Sequence, residues 1–289
     1  MIPSTFPFGL RAHDYGRHSE EELAGLLASR GAHHAQLAPG KALAGVSPEP
    51  GSFTPERAIR TADAFRTAGL EVSVLGCYVD LLDPDPVRRG LALSRFLEAL
   101  ERAPVLGAAL VATESFGARA GDAEGRRASL ADLLRALEPI ARRAEELGVD
   151  FALEPVRTHV LSSPGASEEV LRKLGSPRLF ILLDPVNLCP PPAGSGPGRA
   201  EDLAAPALEC LDRFADRIRV LHLKDFRAED GGNRVVPPGK GLFPFPEFFR
   251  AAAGRGLRCP CVVEDCRPGD LSGALAFLEE SGAGLVAGP

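Results

Sequence analysis

Along this chain, short apolar runs alternate with longer segments in which apolar residues recur at helical spacing. The runs that read as strands are Pro7–His13, His33–Ala38, Glu71–Tyr78, Ala109–Glu114, Asp150–Val156, Leu179–Asp184, Ile218–Lys224 and Pro260–Asp265. Helices are predicted at Ser19–Ser29, Pro55–Ala68, Pro86–Ala103, Asp122–Leu147, Ser167–Leu174, Ala200–Phe214, Pro244–Ala253 and Asp270–Glu279. Ser19 stands before Glu20–Glu22, and Thr54 before Pro55, which suits proline at a first helical position. Gly69, Gly148 and Gly175 follow helical runs, where a left-handed residue ends a helix.

Strands alternating with helices imply a parallel sheet. Eight such units in about 250 residues have the size of a (β/α)8 barrel, so the chain is expected to be α/β, one barrel domain over residues 1–289. An open doubly wound sheet is the rival, but no Gly-x-Gly-x-x-Gly follows the first strand, which removes its nucleotide-binding version. Pro190–Arg199 and Ala228–Gly241 read as loops at the rim of the barrel mouth.

Composition narrows the partners. A net charge of −6 disfavours nucleic acid, which needs clustered Lys and Arg. The opening MIPSTFPFGLRAHDYG carries proline and charge too early for a secretory leader, and no apolar stretch is long enough for a membrane span. The six cysteines sit mostly in or beside apolar runs, as small hydrophobes do, which suits a reducing, cytoplasmic setting. Cys259, Cys261 and Cys266 are the alternative zinc ligands, but their C-x-C-x4-C spacing is not a four-ligand pattern. A homo-oligomer is left open.

The chemistry concentrates at strand ends. In RVLHLKDF, residues 219–226, alternation puts Ile218, Val220, His222 and Lys224 on one face and Arg219, Leu221, Leu223 and Asp225 on the other. The strands before and after it end similarly: DFALEPV delivers Glu154, LFILLDPVNL delivers Asp184 and CPCVVEDC delivers Glu264. The separations Glu154–Asp184, Asp184–His222 and His222–Glu264 are 30, 38 and 42 residues, each about one βα unit. A single acid at a strand end is usually a cap or a loop ion pair. Four consecutive polar ends converging on a barrel mouth are different, because three carboxylates crowded together repel unless a cation sits among them. Carboxylates with one imidazole suit one divalent ion: Mn²⁺, Mg²⁺, Co²⁺ or Zn²⁺.

The order of ATES (112–115), ALEPV (152–156), LLDPVNL (182–188), HLKD (222–225), PPGKG (237–241) and VVED (262–265) resembles the xylose-isomerase-like TIM barrels, the sugar phosphate isomerase/epimerase superfamily. LGCYVDLLDPDPVRR (75–89) looks like the strand-three loop of uncharacterised members. The resemblance implies metal ligands at Glu154, Asp184, His222 and Glu264, with Glu154 and Glu264 also serving as acid and base. Many members carry a histidine three residues beyond the strand-six aspartate; here the position is Asn187, whose amide can still bond a substrate hydroxyl. The implied activity is isomerisation or epimerisation of a small sugar or keto-polyol by proton transfer through an enediolate. A metal-dependent dehydratase or hydrolase, a non-catalytic sugar-binding barrel, and an endonuclease-IV-like repair nuclease stand as alternatives.

Other polar residues are placed by the same phasing. His159, Asn187, Lys224, Glu114 and Arg267 are candidate substrate contacts, and Arg157 is a solvated loop residue. Arg11 and His13 share a face at the end of strand one, while His33 and His34 lie at the closed end of strand two and read as structural. Asp225 is expected in a structural ion pair, and Gly239-Lys240-Gly241 in a turn shaping the strand-seven loop.

Overall fold

The strand interiors carry alternating side chains that point to a common centre, and the sheet closes around them. In the computed structural model, which describes residues 6–117, 123–190, 200–229 and 232–288, eight parallel strands form a closed barrel. They are β1 (Gly9–Arg11), β2 (His34–Leu37), β3 (Glu71–Gly76), β4 (Leu110–Glu114), β5 (Asp150–Glu154), β6 (Leu179–Leu183), β7 (Ile218–Leu223) and, after two hairpin strands, β10 (Cys261–Val263). The order around the barrel is β1-β10-β7-β6-β5-β4-β3-β2. The connecting helices are α1 (Glu20–Ser29), α3 (Pro55–Thr67), α4 (Pro86–Leu106), α5 (Ala123–Leu147), α6 (Pro164–Leu174), α7 (Ala200–Phe214), α8 (Phe245–Gly254) and α9 (Leu271–Glu280), with a single-turn α2 (Pro39–Ala42) after β2. None of the described helices is long and apolar enough to cross a membrane.

Helix starts follow the local chemistry. Ser19 and Glu22 form a reciprocal capping box at α1, and the Thr54 hydroxyl accepts the Arg57 amide ahead of Pro55. The apolar stuffing of the barrel is Val74, Leu110, Ala112, Ala152, Phe180, Leu182, Val220 and Val262. A second, larger cluster fills the space between strands and helices. On β4, β5, β6, β7 and β10 the residue two places beyond the inner apolar one is Glu114, Glu154, Asp184, His222 and Glu264, so one layer higher the interior becomes polar. At Gly9 the inward position must lack a side chain, because a Cβ would lie 2.2 Å from the His34 ring.

The segment after β7 differs from the expected loop. It is an antiparallel hairpin of β8 (Asp225–Glu229) and β9 (Gly232–Val236), with Asp225 opposite Val236. Its alternation is weak because its outer residues face solvent, which hides it from a hydrophobicity reading. The Pro190–Arg199 loop falls, beyond Pro190, outside the described residues.

Asp225 makes no ion pair among the described residues, contrary to expectation. Its buried carboxylate instead accepts the amides of Phe226 (2.8 Å), Gly239 (3.2 Å), Gly241 (3.0 Å) and Phe243 (3.0 Å). The HLKD and PPGKG motifs are therefore one device, the aspartate of the first pinning the backbone of the second. Gly241 is required there, since a Cβ would lie 2.2 Å from the Phe226 carbonyl. Hydrogen bonds to a charged acceptor contribute about 1.5–3 kcal/mol each, and orphaned buried amides add a penalty. Asp225→Ala is thus expected to cost about 3 kcal/mol or more, a fall of roughly 6–10 °C in melting temperature for a chain of this size. A thermal melt unchanged within 2 °C would contradict the pinning role.

Candidate active site

β5, β6 and β7 bring ligand-type atoms of Glu154, Asp184 and His222 within 4.8 Å of one another, all three residues being buried. Among the described residues this is the group of histidine, cysteine and acidic side chains that gathers so closely; the cysteines, the disfavoured alternative, do not, and Cys259, Cys261 and Cys266 are buried free thiols raised by burial to neutral forms. Glu264, from β10, joins from the side, its Oε1 3.0 Å from His222 Nδ1. Glu154 Oε1 is 3.4 Å from the same nitrogen. Because β7 and β6 separate β10 from β5, the two glutamates approach from different parts of the barrel wall.

The histidine tautomer follows from its partners. Gln36 Nε2 lies 3.4 Å from Glu264 Oε1 and 2.6 Å from the Tyr78 hydroxyl, so that end of the amide is the donor. The Gln36 carbonyl oxygen therefore faces His222 Nε2, which must carry the hydrogen. Nδ1 is left pointing among the carboxylates, buried and without a hydrogen bond. Asp184 Oδ2 is likewise buried and is met there by the Lys224 ammonium alone, while its Oδ1 accepts the amides of Val186 (2.9 Å) and Asn187 (3.3 Å). An aspartate fixed by two amides, an imidazole fixed by a second-layer amide, and inward donor atoms met by a cation, here the Lys224 ammonium, are what a divalent cation site requires. The donor set fits such an ion.

Lys224, two residues beyond His222 on the same face, supplies positive charge. Its Nζ is 2.7 Å from Asp184 Oδ2 and 3.8 Å from Glu264 Oε2. Arg11 reaches over from β1: it contacts Glu264 Oε2 at 3.1 Å, Asp14 at 2.7 Å and Asp265 at 2.6 Å. Burial opposes the Glu264 charge, but His222, Arg11 and Lys224 outweigh it and hold that carboxyl below its usual range. Burial pushes the Asp184 carboxyl up to about 6, with Lys224 pulling the other way. His222 is raised, since Glu264 and Glu154 overcome the burial that would lower it.

Of the expected substrate contacts, Asn187 donates to Glu154 Oε1 at 2.7 Å and Lys224 stands inside the cluster. Glu114 and His159 form a neighbouring pair, Nδ1 to Oε2 3.4 Å, with His159 stacked on Phe116 at a centroid distance of 5.3 Å. Burial and the Glu154 charge raise Glu114 to about 7, and burial lowers His159. Phe116 has a positive φ of 38°, a strained conformation for an aromatic residue, and it lies at the mouth. Arg267 is not brought to the cluster. It is exposed and lines an outer polar hollow with Asp14, Asp265 and Arg234. His13 lies near Arg11 and is lowered to about 4 by burial.

Two residues escaped the sequence reading. Gln36 sits on the short, polar strand HAQL, which offers no apolar run to give its phase. Tyr78 lies two residues beyond β3, where strand alternation no longer reports direction. The only signal was their position at the open end of strands two and three.

Comparison with known proteins agrees with this architecture. Fructoselysine 3-epimerase of Escherichia coli O157:H7 is 29% identical over 131 residues, spanning 44% of this chain and 42% of that protein's length. The structure of the IolI protein with a bound zinc atom superposes with a TM-score of 0.72 at 16% identity, covering 97% of this chain and 98% of the other. D-psicose 3-epimerase with D-tagatose, from Clostridium cellulolyticum H10, gives 0.71 at 16% identity over 97% and 99% of the two chains. Residues 25–281 match the family described as xylose isomerase-like TIM barrel, and the chain belongs to that family.

Proposed function

We propose that this protein is a divalent-metal-dependent isomerase or epimerase of a keto sugar or related polyol. The observation that carries the reading is the pair of buried glutamates, Glu154 and Glu264, both beside His222 Nδ1 but delivered by non-adjacent strands. The epimerase relatives, matched over less than half of their length, support the same reaction class. A cation held by Glu154, Asp184, His222 and Glu264 would polarise the substrate carbonyl and stabilise the negative charge that develops next to it. The bound zinc of the IolI structure supports a metal in a barrel of this fold.

The chain's own residues supply the proton traffic. One of the two glutamates takes the proton from the carbon beside the carbonyl, and the other delivers a proton from the opposite side. Asn187 fixes Glu154 through its Oε1, and Arg11 with Gln36 fixes Glu264, so each carboxylate is aimed before substrate arrives. Lys224 and the Tyr78 hydroxyl, which accepts from Gln36 and keeps its own hydrogen to donate, face substrate hydroxyls. The Phe116 and His159 rings, tilted against each other, line the β4 side. The cytoplasmic location expected from sequence is carried forward as part of the same proposal.

The test is solvent exchange. A ketose panel is incubated in deuterated water with the protein and Mn²⁺, Mg²⁺, Co²⁺ or Zn²⁺, and carbon-bound deuterium is followed by NMR. Metal-dependent deuterium incorporation with formation of an epimer or aldose isomer is expected. Loss of water to a dehydrated product, without labelled substrate or isomer, would replace this reading by a dehydratase.

A further inference from the structure

We propose that Lys224 is an exchangeable counter-ion of the carboxylate cluster: its ammonium and a divalent cation are alternatives at Asp184 Oδ2, and loading the cation turns Lys224 towards the substrate. This rests on the metal reading above and gives Lys224 a part in setting metal affinity. Glu154, Asp184 and Glu264 bring three carboxylates into one buried space. Two long basic side chains reach them. Arg11 gives one nitrogen to Glu264 and the others to Asp14 and Asp265, which lie outside the cluster. Lys224 is buried, and both of its partners among the described residues, Asp184 Oδ2 at 2.7 Å and Glu264 Oε2 at 3.8 Å, belong to the cluster.

The geometry makes the two cations rivals. Asp184 Oδ1 is taken by the amides of Val186 and Asn187, which leaves Oδ2 as the oxygen with room for a cation. Two cations on one oxygen stand within a few ångströms of each other, and like charges at that spacing repel strongly where water is scarce.

The residue type fits an exchange. Of the 33 basic residues four are lysines, Lys41, Lys173, Lys224 and Lys240, and among them Lys224 alone is buried. Arginine is the usual cation of this chain, and its guanidinium fork is fixed by several partners at once, as Arg11 is. An ammonium is a point charge on a flexible four-carbon stem. The backbone next to that stem is held, since Asp225 accepts four amides. β7 ends at Leu223, so Lys224 stands on the mouth side of His222 and its released ammonium has the mouth to turn into. The same charge thus relieves carboxylate repulsion before loading and meets a substrate oxygen after it. Removing it has two opposite effects: the cluster loses a counter-charge, and the metal loses a rival. A plain structural ion pair would show only the first.

The exchange is read by NMR of the lysine ammonium groups in ¹⁵N-labelled protein. An ammonium held by a buried carboxylate exchanges its protons slowly and separates from the exposed lysines. Saturating Mg²⁺ or Zn²⁺ is expected to shift or abolish the Lys224 signal. In Mn²⁺ titrations followed by EPR, Lys224→Gln and Lys224→Met are expected to bind about tenfold or more tighter than the wild type, as removal of a close like charge implies. Their melting temperature is expected to rise on Mn²⁺ saturation by about 3 °C or more beyond the wild-type rise. A Lys224 signal unmoved at saturating metal, or Mn²⁺ affinity no tighter in both variants, would overturn the exchange. The wild-type spectrum decides alone if the variants fail to fold. A wild type that binds none of these ions would sink the metal reading itself, whereas binding with Lys224 unmoved sinks only the exchange.

Discussion

Glu154→Gln and Glu264→Gln are each expected to lower turnover by more than about 100-fold, the lower end of what a positioned acid or base contributes. Glutamine keeps the size of the side chain and its capacity to accept from Asn187 or Arg11, so the fold and the neighbouring geometry survive. What is lost is the ability to take and return a proton. The reading separates further by step: a variant lacking only one of the two carboxylates still exchanges deuterium on the face served by the other, while the epimer fails to accumulate. Metal content is measured in the same samples, so that loss of the ion is not mistaken for loss of the acid or base. Near-normal turnover in either variant would remove that glutamate from the mechanism.

The second large effect concerns the ion. Asp184→Asn removes a charge from the cluster, though the two backbone amides on Oδ1 still hold the side chain in place. Weakening of Mn²⁺ binding by at least about 100-fold is expected, the upper end of what loss of even an outer partner costs. The pH dependence in the wild type follows from the same groups. Metal binding requires Asp184 ionised and His222 free at Nδ1. Burial raises Asp184 to about 6, and the carboxylates raise His222. Asp184 therefore takes up a proton as pH falls through about 6, where the raised His222 also competes with the ion, and affinity drops by more than about tenfold per pH unit once both compete. Affinity that is flat as pH falls through about 6, or that rises, would contradict the assignment. Titration of Mn²⁺ by its EPR signal measures both effects.

The barrel was legible in the sequence because the inner apolar layer gives each strand a phase. Ala152 fixes the direction of Glu154, Leu182 that of Asp184, Val220 that of His222 and Val262 that of Glu264, each two residues on. That rule also separated Lys224 from Asp225 correctly: the first points into the cluster, the second away from it. What Asp225 binds was not legible, because its partners are backbone amides, which no side-chain pattern reports. Gln36 and Tyr78 were missed for a related reason. β2 is only four residues long, with polar residues where the phase would be read, and Tyr78 stands past the end of its strand. Arg267 follows the last strand, where alternation no longer reports direction, so its spacing from Glu264 could not place it. β10 ends at Val263 and the chain turns at Asp265, whose φ is 50°. Asp265 is tied there by Arg11 and by Asp14, which leaves Arg267 outside.

The most direct measurement is anomalous diffraction from crystals grown with Mn²⁺. A single strong peak is expected inside the barrel mouth, bound by His222 through Nδ1 and by oxygens of Glu154, Asp184 and Glu264, with Lys224 displaced from Asp184. A peak elsewhere, coordination through Nε2, or no ordered ion at saturating metal would contradict a common cation as the organiser of these four side chains.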